Sequence, residues 1–89
     1  MNDEKIKELL LINGFDIQAQ EDIKHAITQK ILYLLDHDLN RLYALLYRID
    51  VSEQKAKDAF GGSTQEIASN LCELILNRLQ EKIESRRKN

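Results

Sequence analysis

The chain has 89 residues, with 13 Lys and Arg against 15 Asp and Glu for a formal net charge of -2, and 43% of its residues are apolar. That is one domain with enough material for a core, although a domain this small has little stability to spare without close packing or a partner. Charges of both signs are mixed along the chain, so nothing in them demands nucleic acid or a membrane; no stretch approaches the roughly 18 to 20 apolar residues of a bilayer span, and the single cysteine excludes an internal disulfide.

Proline is absent and Val51 is the lone valine, while Leu, Ile, Glu, Lys, Gln and Ala dominate. Local propensity therefore points to helix almost throughout. The expected fold is all-α, a compact bundle of four to five helices in a single domain covering residues 1–89, with helices at about 3–12, 20–36, 38–49, 51–60 and 64–86. No N-terminal run joins a basic start to an apolar stretch and a small-residue cleavage site, so the cytoplasm is expected.

The first helix opens with Asn2 or Asp3 as N-cap and acidic residues in its first turn, which complements the helix dipole, and it sets Ile6, Leu9 and Leu10 on one face. It stops at Asn13-Gly14. Phe15 and Ile17 are too apolar to stand free in water and are expected to plug the end of the bundle. A helix of about ten residues is marginal alone, so the alternative to docking is a loosely attached arm.

The second helix is expected to open near Gln20 or Glu21 and to run to about Asp36, with Ile23, Ile27, Ile31 and Leu34 on one face and Ala26 and Leu35 beside it. Leu32 and Tyr33 fall outside that stripe; packing by a second neighbour is expected, with an exposed contact patch as the alternative. The break lies at Asp36-His37-Asp38, where Asp38 is a competent N-cap for the next helix.

The stretch from His37 to Glu53 is the densest mixture of apolar, aromatic and charged residues, and it is expected to be the hub of the fold. Leu39, Leu42, Tyr43, Leu46 and Ile49 recur at intervals of three and four, with Leu45 and Tyr47 widening the stripe. Arg41 and Arg48 share the opposite face with His37 one turn earlier, which makes a short basic stripe. Asp50-Val51-Ser52-Glu53 fits a capping box that would start the fourth helix at about Val51.

The phrase from Leu45 through Tyr47-Arg48-Ile49-Asp50 to Glu53, followed downstream by Ile67-Ala68 and Arg78-Leu79-Gln80-Glu81-Lys82, resembles a group of small, uncharacterised bacterial all-helical proteins. The resemblance covers residues from about 36 to 83 and implies a helical fold; it implies no activity and no site.

In the fourth helix Val51, Ala56, Ala59 and Phe60 are apolar, and Gly61-Gly62 should close it by taking the positive φ that helix ends often need. Ser63-Thr64-Gln65-Glu66 is a second capping box and opens the longest helix. Its apolar residues, from Ile67 and Ala68 through Leu71, Cys72, Leu74, Ile75, Leu76 and Leu79 to Ile83, sweep an arc of roughly 200 degrees. Arg78 and Lys82 interrupt that arc late, and Arg86-Arg87-Lys88 make a basic last turn.

Candidate chemistry is sparse. His25, His37, Asp36 and Asp38 are the conceivable metal ligands, but neighbouring residues on a helix diverge where a site needs three or four ligands to converge, so no metal and no cofactor are expected. Cys72 lies on an apolar face and reads as a buried inert thiol. Ser52, Ser63 and Ser69 are the serines a triad could draw on, but the first two belong to caps or turns, and two histidines leave little acid-base machinery; no catalytic residue is expected. The expected function is that of a non-enzymatic helical protein that binds another protein or itself, with Arg41, Arg48, Leu76 and Ile83 as the candidate interaction surface. In that reading the outer edge of the long arc, at Cys72, Leu76 and Ile83, is surplus apolar surface covered by a second copy, with the N-terminal helix folded over it as the alternative. The alternative is a helix-turn-helix-like nucleic-acid binder with Thr64, Gln65, Ser69 and Asn70 facing the groove, which the acidic Glu66 and Glu73 oppose.

Overall fold

A computed structural model of the chain describes residues 3–18 and 21–87, the side chains of residues 86 and 87 excepted. It holds five helices: α1 (Asp3–Ile12), α2 (Ile23–His37), α3 (Leu39–Ile49), α4 (Glu53–Ala59) and α5 (Thr64–Arg87), and among the described residues there is no strand. The protein is an all-α bundle. None of its described helices is long and apolar enough to cross a membrane.

The ends of the helices follow from side-chain chemistry. Asp22 caps α2, its carboxylate accepting from the Lys24 and His25 amides at 2.8 and 3.3 Å. That places the start two to three residues later than the sequence suggests; Glu21 lies before the helix and accepts from the Gln18 amide at 3.2 Å, while Gln20, like the possible cap Asn2 and the terminal Lys88, lies outside the described residues. Asp38 breaks the chain between α2 and α3 as expected, with its side chain accepting from the Arg41 amide at 3.1 Å. The Ser63 box also forms: Ser63 Oγ accepts from the Glu66 amide at 3.2 Å, and Glu66 Oε1 accepts from the Ser63 amide at 3.1 Å.

The Asp50 box does not form. Asp50 takes the left-handed conformation, φ 70° and ψ 44°, and closes α3 instead of opening α4. Its amide donates to Tyr47 O and the Val51 amide donates to Leu46 O, both at 3.0 Å, which is the Schellman pattern of two bonds closing a helix end. The same pattern closes α1, where Gly14 at φ 90° donates to Leu11 O and Phe15 donates to Leu10 O. In both places the apolar residue after the left-handed position folds back onto the last turn, Phe15 on Leu10 and Val51 on Leu46, and all four are buried. Ser52 then becomes the N-cap of α4, accepting from the Lys55 amide at 3.4 Å. Gly61 and Gly62 do not take positive φ. Gly62 is tightly placed: a Cβ there would lie 3.2 Å from Glu66 Cβ, so the side chain that caps α5 would have to give by a few tenths of an ångström.

The centre of the bundle is α5, not the His37–Glu53 stretch, since α5 packs against each of the other four helices. At 1.5 Å per residue its 24 residues span about 36 Å, the longest dimension of the molecule at 37 Å. Ala68, Leu71, Cys72, Ile75, Leu79 and Ile83 are buried, and Ile67, Leu74 and Leu76 are half-buried against the same core. The wide arc is therefore covered within one chain. α1 docks on α5 through Ile6 and Leu10, with Phe15 and Ile17 packed at the end as expected.

Candidate functional site

Among the described residues the exposed large apolar side chains are Leu11 and Ile12 at the end of α1, Tyr33 on α2, and Leu39, Tyr43 and Tyr47 on α3, so α3 carries the largest share. Its core side is narrower than the periodicity suggests: Leu42, Leu45, Leu46 and Ile49 are buried, whereas Leu39, Tyr43 and Tyr47 are exposed. The difference is a rotation of the buried stripe toward Leu45, because α2 and α5 flank the helix on that side. On α2, Leu32 is half-buried against the core but Tyr33 is exposed, its ring stacked on His37 at 4.2 Å.

α3 contains no Asp or Glu, so its charged side chains are both cations. Its exposed arc runs from Tyr43 and Tyr47 across Asn40 and Ala44 to Arg48 and Arg41. One flank faces α4. There Tyr43, Tyr47, Val51, Ala56 and Phe60 line an apolar groove of about 650 Å³, over a floor formed by Leu46 and with Asp50, Glu53 and Lys57 on its rim. The Tyr43 and Phe60 rings meet at 5.6 Å with an interplanar angle of 46°. Tyr47 is 83% exposed, more than any other large apolar side chain described.

Asp50 lines the groove at the corner between α3 and α4. The Asp50 carboxylate accepts from Arg78 Nη2 at 3.1 Å, and Arg78 also pairs with Glu81 at 3.7 Å, so the α3–α4 turn is tied to α5. Arg78 is one of the two cations that interrupt the apolar arc of α5. The sequence marks it as an interruption, but its partner lies 28 residues away and only the fold brings the two together.

The other flank carries Arg41 and Arg48, exposed as the basic stripe predicts, and they face Lys30 of α2 across a second, smaller concavity. Ile83 is 5% exposed and Leu76 is half-buried against the core, so neither belongs to the α3 face. The surplus expected at the outer edge of α5 is absorbed by α1 and α2. Thr64, Gln65, Ser69 and Asn70 are exposed at the start of α5, but Glu66 and Glu73 are exposed with them.

His25 is exposed, and His37 donates from Nδ1 to the Tyr33 carbonyl at 3.0 Å, with Asp36 at 3.6 Å. Among the described residues no three His, Cys, Asp or Glu side chains come together. Cys72 is buried, with its thiol 3.7 Å from Lys24 O, and burial pushes its pKa above the ordinary 9.0. A thiol held protonated in this way is a packing group.

Fold and surface thus define an all-α bundle with an aromatic groove between α3 and α4. Comparison of the chain with family models, curated proteins and solved structures gave no match.

Proposed function

We propose that this is a non-enzymatic cytoplasmic protein that binds another protein, and that the groove between α3 and α4 receives an amphipathic helical segment of the partner. The observation that carries the reading is the pair Tyr43 and Tyr47, exposed beside half-buried Phe60 on a concave apolar surface. Tyrosine supplies a large contact area at small entropic cost and dominates the energetics of many interfaces, while exposed aromatic side chains in a cluster are costly to leave in water. Asp50, Glu53 and Lys57 give the groove a polar border that can fix the register of a bound helix. A non-catalytic role fits the distribution of the two histidines and the carboxylates, which lie on solvated faces or serve as caps. A second copy of the chain is the alternative occupant of the same groove.

A photoreactive aromatic amino acid in place of Tyr47, with Gln54, exposed on α4 but outside the groove lining, as control position, tests this in cells. A discrete covalent adduct from position 47 and none from 54 is expected. Light scattering of the purified protein then separates the occupants: a dimer that Tyr47→Glu converts to a folded monomer identifies a second copy, whereas a monomer with a larger discrete adduct identifies another protein. A monomer with no adduct at position 47 would overturn the reading.

A further inference from the structure

We infer that the concavity between the end of α1, α2 and α3 is an anion site, and that its ligand is a small molecule carrying a phosphoryl or pyrophosphoryl group. This goes beyond the groove just described and does not depend on it. The site measures about 310 Å³ and takes Lys30 from α2, Arg41 and Arg48 from α3 and Asn13 from the end of α1, over apolar walls formed by Leu34 and Leu45. Carboxylates outnumber cations in the chain, 15 to 13, yet the lining holds three cations and no Asp or Glu.

The cations are also unspent. The side chains of Lys30 and Arg48 make no ion pair or hydrogen bond with any described residue. Arg41 has a single long contact, Nε to Asp38 at 3.9 Å, which leaves the terminal amino groups of its guanidinium free. Arg41 and Arg48 are seven residues apart, about 10 Å along the helix axis, and Ala44 lies between them with no side chain long enough to fill the space. Two guanidinium groups on one lining, with an ammonium from the neighbouring helix, suit a compact anion bearing more than one negative charge. A monoanionic carboxylate would leave net positive charge in the site. The volume lies at the lower end of the range for small-molecule sites, which favours a phosphorylated small molecule over a chain segment.

Titration of the ¹⁵N-labelled full chain with inorganic pyrophosphate, at constant ionic strength adjusted with sodium chloride, tests the assignment. Saturable amide shifts at Lys30, Arg41, Ala44 and Arg48 are expected, without comparable shifts around Lys55 on the opposite side. Arg48→Gln and Lys30→Gln should each weaken binding by about tenfold or more, and Lys55→Gln should not. All three positions are at least partly solvated, so the variants should fold, and their spectra show whether they do. Parallel titrations with inorganic phosphate and glycerol 3-phosphate distinguish a free anion from an esterified one. Shifts that grow linearly without saturating, or equal shifts around Lys55, would overturn the proposal. So would a tetraglutamate peptide that binds more tightly than pyrophosphate, because the face would then be a docking surface for acidic protein segments.

Discussion

Asp50 holds a left-handed backbone that most side chains resist by about 1 to 2 kcal/mol, and it does so at the corner that borders the aromatic groove. Asp and Asn tolerate that conformation, Gly adopts it freely, and β-branched residues do not. Asp50→Thr should therefore cost about 1 to 2 kcal/mol in chemical denaturation while Asp50→Gly costs less than about 0.5. Threonine is a good N-cap, so a neutral Asp50→Thr would restore Asp50 to the start of α4. The Glu66 carboxylate offers a pH test. Its pKa lies below the ordinary 4.5 because the Ser63 amide donates to the ionised form, with the Ser63 hydroxyl adding a smaller contribution. A depressed value means that the cap is fully stabilising above that ordinary value and is lost as pH falls through the lower folded-state value. The stability difference between wild type and Glu66→Ala should thus shrink between about pH 5 and pH 3. A difference that stays constant over that range would show that the carboxylate is not engaged.

At the scale of the element, α3 and α5 divide the work. α3 presents one side to the core and the rest to solvent, so its buried and exposed positions should respond very differently. Leu42 is 0% exposed and Leu46 is 4% exposed; each changed to Ala should cost about 2 to 5 kcal/mol, whereas Tyr47→Ala should leave stability within about 1 kcal/mol. Urea denaturation of the three variants checks this, and equal losses at all three would mean that Tyr47 is packed in solution. For α5 the outcome turns on α1. Leu76 is half-buried where α1 and the start of α2 approach α5, close to Ile6 and Ile23. Leu76→Glu should loosen α1 and lower the unfolding midpoint, with no change of oligomeric state. A folded monomer produced by this substitution from a dimeric parent would restore the edge of α5 as an interface.

For the whole molecule, the single thiol reports on global opening. Cys72 sits among α2 and α5 residues at 3% exposure, so an alkylating reagent reaches it only when the bundle opens. Its modification rate in the native protein should be suppressed to the same extent as the unfolded population, and it should rise in step with unfolding as urea is added. Rapid labelling under native conditions would mean that α2 separates from α5 without global unfolding. The radius of gyration, 12.6 Å, is close to the roughly 12 Å expected of a compact chain of this length, so α1 belongs to the globule and is not a trailing arm.

Helix number, approximate helix limits, the breaks at Asn13-Gly14 and Asp38, and the Ser63 cap were all legible in the sequence, because each depends on propensity, periodicity or a bond spanning a few residues. Asp50 is ambiguous for a local reason: Asp-Val-Ser-Glu satisfies a capping box, and Asp is also competent at a left-handed helix end, so the four letters fit two geometries. The choice was made by Val51, whose burial against Leu46 requires the chain to turn back at Asp50. Periodicity likewise showed that α3 and α5 are amphipathic, but it could not say which neighbours cover each arc. α1, α2, α3 and α4 surround α5 and internalise Ile83, while α3 is left with Tyr43 and Tyr47 outward on one flank and Arg41 and Arg48 beside Lys30 on the other. Coverage is a property of the assembled bundle, set by contacts between residues distant in sequence, and that is why the surfaces available for binding emerged only from the tertiary structure.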